Sequence, residues 1–330
     1  MNTRIPVILA LAVALVLGVL PEAPAQSLAK WKFGIVQIKA DTAFEKIGAE
    51  KGFYKEQGLD VEFFEMAGDA HLQKALIAGH VDEIETTPAG VIVATEKGAN
   101  LRMVASFMPG LPHVLYVRKE LNAIKDLVGK PIAISGLNAL PHLAVVTVLQ
   151  KYGIGASRVT WVQAGGDPDR MKAIFAGKVA ATMSSNEFIP MLRQNPDVKV
   201  LFSFNKELPQ WVRMTTNVTE KTVRERGDLL FKALVAHAKG IRYAAEHKDE
   251  TVALMAKLTK RDPKDLDVVY DWFVKGKLIN PNGTLPLDGI AWMQEVNIKI
   301  GRQDKRLPMS EIVVQDFQKK LVAQLGEHPW

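Results

Sequence analysis

The chain has 330 residues, with 42 Lys and Arg against 36 Asp and Glu, a formal charge of +6 and no cysteine. Hydrophobic residues make up 48% and charged residues 24%, which is typical of a globular protein and excludes a disordered or fibrous chain. The lack of cysteine excludes disulfides, thiolate nucleophiles, iron–sulfur clusters and cysteine-ligated zinc, and the length favours two domains.

The first 25 residues are typical of an export signal. Arg4 precedes an uncharged, aliphatic run over 5–20, and Ala23-Pro24-Ala25 then gives the small-x-small pattern of a signal-peptidase site. The apolar run is short for a membrane span, which needs about 20 residues. We therefore predict cleavage after Ala25 and a mature protein in the periplasm. An uncleaved signal anchor is the alternative.

Strand-type and helix-type runs alternate from residue 32 to about 202. This alternation predicts βαβ units and mostly parallel sheets. Helices are expected over Thr42–Gln57, Leu72–Ala78 and Leu143–Tyr152. The predicted strands are Lys32–Val36, Val61–Phe64, Glu83–Thr86, Leu101–Phe107, Val114–Arg118, Ile132–Ser135, Val159–Val162, Ala180–Met183 and Val198–Phe202.

After residue 220 the pattern becomes almost wholly helical. One long helix is predicted over Glu220–Glu246, and further helices over Leu287–Ile300 and Glu311–Leu325. Near the start of the chain, Thr42 and Glu45 have the spacing of a capping box.

An internal repeat with an offset of 98 residues is the most informative feature of the chain. Segment 65–81 aligns without a gap to 163–179, so that Gly68-Asp69 falls on Gly166-Asp167. The repeat predicts two α/β lobes of similar build, with two generic βαβ units as the alternative. In an open α/β sheet the strand ends and helix starts share the edge where ligands bind, so two such edges predict a cleft. The alternative is that the residues at the helix starts only cap their helices and do not contact a ligand.

Three segments resemble periplasmic solute-binding proteins of ABC transporters, of the nitrate/sulfonate/taurine and thiamine-pyrimidine-precursor (SsuA/THI5-like) type. They are Gly52–Val61 (GFYKEQGLDV), Ala75–Asp82 (ALIAGHVD) and Ile124–Ala133 (IKDLVGKPIA). The resemblance covers about residues 30–260. It implies an α/β, two-lobed periplasmic binding protein fold of type II, in which each lobe is a mixed, mostly parallel sheet flanked by helices. The helical C-terminal tail is expected to pack on lobe one.

The resemblance also implies a domain division and a mode of action. Lobe one would comprise 26–117 and 216–330, and lobe two 118–215, joined through the crossover strands Val114–Arg118 and Val212–Val218. The protein would capture a small-molecule nutrient by hinge closure and deliver it to a membrane permease and its ATPase. We expect a monomer without a cofactor or metal. No basic stripe with interleaved aromatics indicates nucleic acid binding.

The ligand-binding candidates, carried over by position, lie in loops of both lobes. In lobe one they are Gln37, Lys39, Asp41, Gly68, Asp69, Glu85, Thr86 and Thr87. In lobe two they are Gly136, Leu137, Asn138, His142, Gly166, Asp167, Ser184, Ser185, Asn186 and Glu187. Phe107 and Trp211 are candidates for a stacking wall, with ordinary packing as the alternative.

Two departures from the family pattern bear on the ligand. Glu83 and Glu85 share one side of a strand, where the family commonly has small or neutral residues, and Glu85 lies at the ligand end. This acid would repel sulfonate and accept hydrogen bonds from an amine, unless it pairs with a nearby Lys or Arg. Lys39 is the only obvious cation of the cleft, and no Arg sits in its loops. We therefore expect a heterocyclic or amine-bearing nutrient, with sulfonate, nitrate, pyrimidine and aromatic compounds left open.

No pattern indicates catalysis. The seven histidines lack the three- or four-residue spacing of a metal-binding helix, and neither a Gly-x-Ser-x-Gly elbow nor a phosphate-binding glycine loop occurs. His142 is the best single candidate for chemistry. An exported enzyme on the same fold and a receptor for a sensor are the alternatives to a transport protein.

Overall fold

The structure is a computed structural model that describes residues 27–36, 38–66 and 68–330. The predicted signal peptide, its cleavage site and Gln37 therefore lie outside the described residues. The strands are β1 (Ala29–Val36), β2 (Leu59–Met66), β3 (Glu83–Thr86), β4 (Leu101–Ala105), β5 (His113–Arg118), β6 (Pro131–Ile134), β7 (Thr160–Gln163), β8 (Ala181–Ser185), β9 (Val198–Ser203) and β10 (Thr215–Thr219).

Helices follow most strands and dominate the C-terminal part. They are α1 (Thr42–Glu50), α2 (Phe53–Glu56), α3 (Asp69–Ile77), α4 (Pro88–Glu96), α5 (Leu140–Lys151), α6 (Asp167–Phe175), α7 (Phe204–Glu207), α8 (Glu220–Glu225), α9 (Gly227–Glu246), α10 (Lys248–Thr259), α11 (Pro263–Val274), α12 (Leu287–Lys299), α13 (Met309–Ile312) and α14 (Asp316–Leu325). Segment Asn186–Gln194 is a 3-10 helix. None of the helices in the described part of the chain is long and apolar enough to cross a bilayer.

Two five-stranded sheets have the same topology. The first has the order β2-β1-β3-β10-β4 and the second has the order β7-β6-β8-β5-β9. In each sheet the fourth strand is antiparallel to both neighbours, and it is the strand that follows a crossing from the other sheet. The first crossing falls within 106–112, because β4 pairs in the first sheet and β5 pairs in the second.

The internal repeat is visible as matching elements. α3 begins at Asp69 and α6 begins at Asp167, 98 positions later, and both helices have nine residues. β3 and β8 begin at Glu83 and Ala181 with the same offset. The nine strands predicted up to residue 202 are confirmed with small shifts at their ends, because alternating β-type runs between helices are a strong signal for parallel sheets.

Three helices predicted as continuous are interrupted. The first breaks at Gly52, which has φ = +79°, a left-handed conformation that glycine adopts without steric cost. The helix predicted over Glu220–Glu246 breaks at Arg226, whose guanidinium binds Asp82. The last breaks between α13 and α14, where Val314 N donates to Met103 O at 2.9 Å.

The predicted capping box at Thr42 is wrong. Thr42 is the first helical residue, and its Oγ1 accepts a hydrogen bond from Lys39 N at 3.0 Å. The hydroxyl therefore fixes the loop that carries Lys39. Asp167 also lies inside its helix, with Gly166 as the N-cap residue.

Helix α1 is held against α9 by close backbone contact. A Cβ atom on Gly240 of α9 would lie 3.0 Å from Gly48 Cα of α1. Phe44 and Ile47 of α1 are buried in one cluster with Leu234 of α9. This contact fixes α1, and the loop in front of α1 carries Lys39 and Asp41.

Candidate functional site

A cavity of about 720 Å³ lies between the two sheets. Four helix starts line it: Gly68 and Asp69 at α3, Thr87 at α4, Ala139 at α5, and Gly166 at α6. Helix starts present free N–H groups and the positive end of the helix dipole. Because the sheets are repeats of each other, matching edges meet at this cavity.

An ion-pair network joins the two sheets at the cavity. Lys39 Nζ, in the loop after β1, lies 2.9 Å from Asp167 Oδ2 at the start of α6. The same carboxylate pairs with Arg170, which donates to Met183 O from Nε at 3.1 Å. Burial alone would raise the pKa of Asp167, but Lys39 and Arg170 outweigh it and hold the pKa well below its usual range. Asp167 is therefore a charged contact between the two halves.

A second buried pair lies behind the cavity wall. Arg213 Nη2 binds Asp41 Oδ2. Burial would raise the pKa of Asp41, but the charges of Arg213 and Lys39 lower it. Arg213 Nη1 is buried and has no hydrogen-bond partner among the described residues. One arm of this guanidinium is thus used by the protein, and the other has no acceptor within the described residues, although Arg213 as a residue lines the cavity.

Three more buried polar atoms of the lining lack a partner within the described part of the chain. They are Trp211 Nε1, His113 Nδ1 and Thr87 Oγ1. Burial lowers the pKa of His113 to about 3, with the nearby cations acting in the same direction and Asp167 opposing them. The imidazole is therefore neutral near pH 7. Buried polar groups without partners in a cavity are places where a ligand or water binds.

Glu187 forms a further contact between the sheets. Its Oε2 accepts a hydrogen bond from Ala40 N at 3.4 Å and lies 3.4 Å from Arg261 Nη1. Arg261 Nη2 also donates to Glu187 O at 2.6 Å. Burial raises the pKa of Glu187, and the charge of Asp41 adds to that effect. The second half thus contacts both the loop before α1 and the C-terminal helices.

The structure brings ten of the candidate residues together at the cavity. They are Lys39, Gly68, Asp69, Thr87, Leu137, Asn138, Gly166, Asp167, Glu187 and Trp211. Nine others are outside its lining: Asp41, Glu85, Thr86, Phe107, Gly136, His142, Ser184, Ser185 and Asn186. Gln37 lies outside the described residues.

The expectation that Glu85 faces the ligand is not met. Its side chain is in the core of the first sheet, with 2% of the residue exposed, and Oε1 accepts a hydrogen bond from Thr216 Oγ1 at 3.0 Å. The acid therefore bonds to a hydroxyl of β10 rather than to a Lys or Arg. Glu83 is buried as well and binds Trp31 Nε1 at 2.7 Å and His237 Nε2 at 2.6 Å.

Two other candidates have structural contacts. His142 Nδ1 accepts a hydrogen bond from Asn138 N at 3.0 Å, and its ring packs edge-on against Trp161 with centroids 4.7 Å apart. Phe107 stacks on His237 with centroids 5.5 Å apart. Phe107 therefore packs in the core, which is the alternative to a stacking wall for the ligand.

The expectation that no arginine enters the cleft is wrong. Arg170, Arg213 and Arg302 all line the cavity. Arg170 lies three residues after the start of α6, Arg213 precedes a crossover strand, and Arg302 follows α12 in the C-terminal part. Their positions in the strand–loop–helix pattern do not indicate that these arginines line the cavity, and the same is true of His113.

The architecture now defines a class of protein. Two matched mixed sheets, joined by crossings and enclosing a cavity at their edges, form the periplasmic binding protein fold. Residues 40–251 match the family model described as NMT1/THI5 like, and the chain belongs to this family. None of the curated proteins compared matches the sequence.

Several solved structures of similar fold are solute-binding proteins. The alkanesulfonate-binding protein SsuA of Xanthomonas axonopodis pv. citri, bound to MOPS, has a TM-score of 0.72 at 15% identity over 88% of this chain and 100% of its own. SsuA of Escherichia coli has a TM-score of 0.72 at 17% identity over 88% and 93%. The nitrate-binding protein NrtA of Synechocystis PCC 6803 has a TM-score of 0.72 at 13% identity over 91% and 89%. At these identities the likeness establishes the fold.

Proposed function

We propose that this protein is the extracytoplasmic substrate-binding component of an ABC importer. It captures a small organic solute in the cavity between its lobes and releases the solute unaltered to a permease and its ATPase. The observation that carries the proposal is the set of buried, unpartnered polar atoms in a cavity that both sheets line. Family membership supports the same role.

Hinge closure explains why the site is built from two halves. Lys39–Asp167 and the contacts of Glu187 bridge the sheets on one side of the cavity. The two crossings, within 106–112 and 204–214, are the segments about which the lobes would rotate. A solute favours the closed state only through contacts that it makes with both lobes.

The remaining parts of the proposal follow from the same role. We place the mature protein in the periplasm, with the signal peptide cleaved after Ala25, and we expect it to act as a monomer. The ligand-binding residues are those predicted residues that line the cavity, together with His113, Arg213 and Arg302. Transport requires binding without turnover, so no residue is assigned a catalytic role.

A thermal-shift screen of residues 26–330 against small nutrients tests this function. A solute at a hundredfold excess over its dissociation constant stabilises the native state by about 2.7 kcal/mol, which raises the melting temperature measurably. Mass spectrometry after overnight incubation should recover each binding solute unchanged. Conversion of a solute to a product, or saturable binding of none, would contradict the proposal.

A further inference from the structure

The segment between α7 and β10 places two hydrogen-bond donors in the cavity wall. Trp211 is 3% exposed and Arg213 is 4% exposed. Trp211 Nε1 and Arg213 Nη1 have no acceptor among the described residues. Indole and guanidinium nitrogens donate and do not accept, so each requires an oxygen or other acceptor from a ligand or water. Leaving such a donor buried without one is costly.

Both donors are held in place. Trp211 and Arg213 lie two residues apart in the segment before β10, and both line the cavity. Arg213 N donates to Pro109 O at 2.9 Å, and its Nη2 is held by Asp41. The Trp211 ring packs edge-on against Trp292 with centroids 5.9 Å apart. The two N–H groups are therefore preorganised for an acceptor.

The acids near this point are already engaged. Asp167 is paired with Lys39 and Arg170, and Glu187 is bonded to Arg261. Arg302 lines the cavity and lies near the charge of Asp69, although none of the ion pairs within the described residues includes it. Asp69 is the one lining carboxylate for which the described chain offers no ion pair, and it would be the anchor of an amine ligand. The donors and the acid therefore make opposite predictions for the charge of the solute.

Two observations favour the donors. They are nearly fully buried, whereas Asp69 is only partly buried and has the charges of Lys39, Arg213 and Arg302 nearby. Two dedicated donors also match the two oxygens of a carboxylate, while His113 and Thr87 accept as well as donate and are not specific for an oxyanion. The rest of the lining includes a large apolar surface formed by Val36, Ile38, Val93, Leu137, Leu140 and Leu143.

We propose that the cavity takes an organic monocarboxylate with an apolar body, whose two oxygens accept hydrogen bonds from Trp211 Nε1 and Arg213 Nη1. The inference rests on the proposed function, because it names the solute class of the same site. It replaces the amine-bearing nutrient expected from Glu85, which lies outside the lining.

Matched probes separate the possible head groups. Titration calorimetry with octanoate, heptane-1-sulfonate and heptylamine, and with 3-phenylpropanoate, 2-phenylethanesulfonate and 2-phenylethylamine, keeps each apolar body constant. At least one carboxylate should bind at least tenfold more tightly than its sulfonate and its amine. Tighter binding of the sulfonate or the amine would overturn the carboxylate assignment. The absence of binding by all six probes would overturn it as well. Binding of any other solute in the thermal screen would still support transport.

The role of Trp211 is tested by Trp211→Phe, which retains the ring packing and removes the N–H. Since a hydrogen bond to a charged group contributes substantially, the dissociation constant of the carboxylate should rise about tenfold or more. Trp161→Phe is the matched control, because its Nε1 already donates to Ala156 O at 3.2 Å outside the lining.

The double variant Asp41→Asn/Arg213→Gln removes the charge at Arg213 without leaving Asp41 buried alone. It should abolish the preference for carboxylate over amine while the protein still melts cooperatively. Unchanged affinity in Trp211→Phe, or an unchanged preference in the double variant, would contradict the proposal.

Discussion

At the residue scale, the most informative atoms of the cavity lining are those without a hydrogen-bond partner among the described residues. Arg213 shares its guanidinium between Asp41 and the cavity, while Trp211 and His113 present nitrogens that the described chain does not use. Charged side chains of the lining such as Lys39 and Asp167 instead pair with each other. The first group has no partner in the described chain and is available to a solute, whereas the second group, besides lining the cavity, holds the two halves together.

Glu85 gives a pH-dependent prediction at this scale. Burial raises its pKa from the usual 4.5 to about 7, with the nearby His237 and the Thr216 hydrogen bond opposing the shift. The folded protein therefore binds more protons than the unfolded chain between those pH values, and stability falls as the pH rises through that window. Above about pH 7 the loss is complete, and a shift of this size corresponds to up to about 3 kcal/mol.

Glu85→Gln removes the titrating group and retains an acceptor for Thr216. The melting temperature of the variant minus that of the wild type should be more positive at pH 8 than at pH 5. Glu62→Gln, at an exposed position of β2, is the control and should give the same small difference at both pH values. A difference for Glu85→Gln that does not change with pH would show that the buried carboxyl does not lose its proton in this range.

At the element scale, the sequence predicts where chain segments lie better than where side chains point. The strands and the repeat were found because β-type runs and the pair Gly68-Asp69 recur with a fixed offset. Helix interruptions at Arg226 and near Val314 were missed because long-range contacts cause them: Arg226 binds Asp82, and Val314 bonds to Met103. Such contacts have no signature in local propensity.

The same limit explains the errors at the site. Period-2 alternation placed Glu83 and Glu85 on one side of β3, but it does not say whether helix α9 or the cavity covers that side. Arg213 and His113 enter the site from segments that cross between sheets, so their position depends on how the whole chain folds. Residues at helix starts, such as Asp69 and Asp167, were found because parallel sheets bring helix starts to one edge.

The contact between α1 and α9 gives a prediction about an element. Gly→Ala inside a helix normally stabilises it by roughly 0.5–1 kcal/mol. Gly240→Ala should instead destabilise the protein, by about 1–3 kcal/mol, because the new methyl group would lie 3.0 Å from Gly48 Cα. Urea unfolding followed by circular dichroism measures the change.

Gly227→Ala, in the first turn of the same helix, is the matched control. The nearest atom to its new methyl group would be Phe317 Cζ at 3.8 Å, an ordinary contact distance. This variant should be neutral or slightly stabilising. Equal effects of the two substitutions would contradict the close packing of α1 against α9.

At the scale of the whole molecule, two sheets of identical topology enclose one site. Each sheet receives its antiparallel strand directly after a crossing, so the chain passes between the halves twice, at neighbouring segments. Arg213 N donates to Pro109 O across these two segments. A pair of adjacent crossings is suited to a hinge, and the donors proposed to hold the solute lie in one of them.

Closure can be measured directly because the natural sequence contains no cysteine. His80 and Lys178 are exposed and occupy equivalent turns after α3 and α6 in the two halves. His80→Cys/Lys178→Cys therefore provides two unique sites for spin labels, and pulsed electron resonance measures the distance distribution between them. The labels lie away from the cavity lining.

This distance measurement, made with and without a solute identified in the thermal screen, is the most direct test of capture by closure. We predict a broad or two-component distribution without solute and a single narrow component at saturation, with the solute recovered intact. A solute that binds tightly while the distribution stays the same would contradict the hinge mechanism.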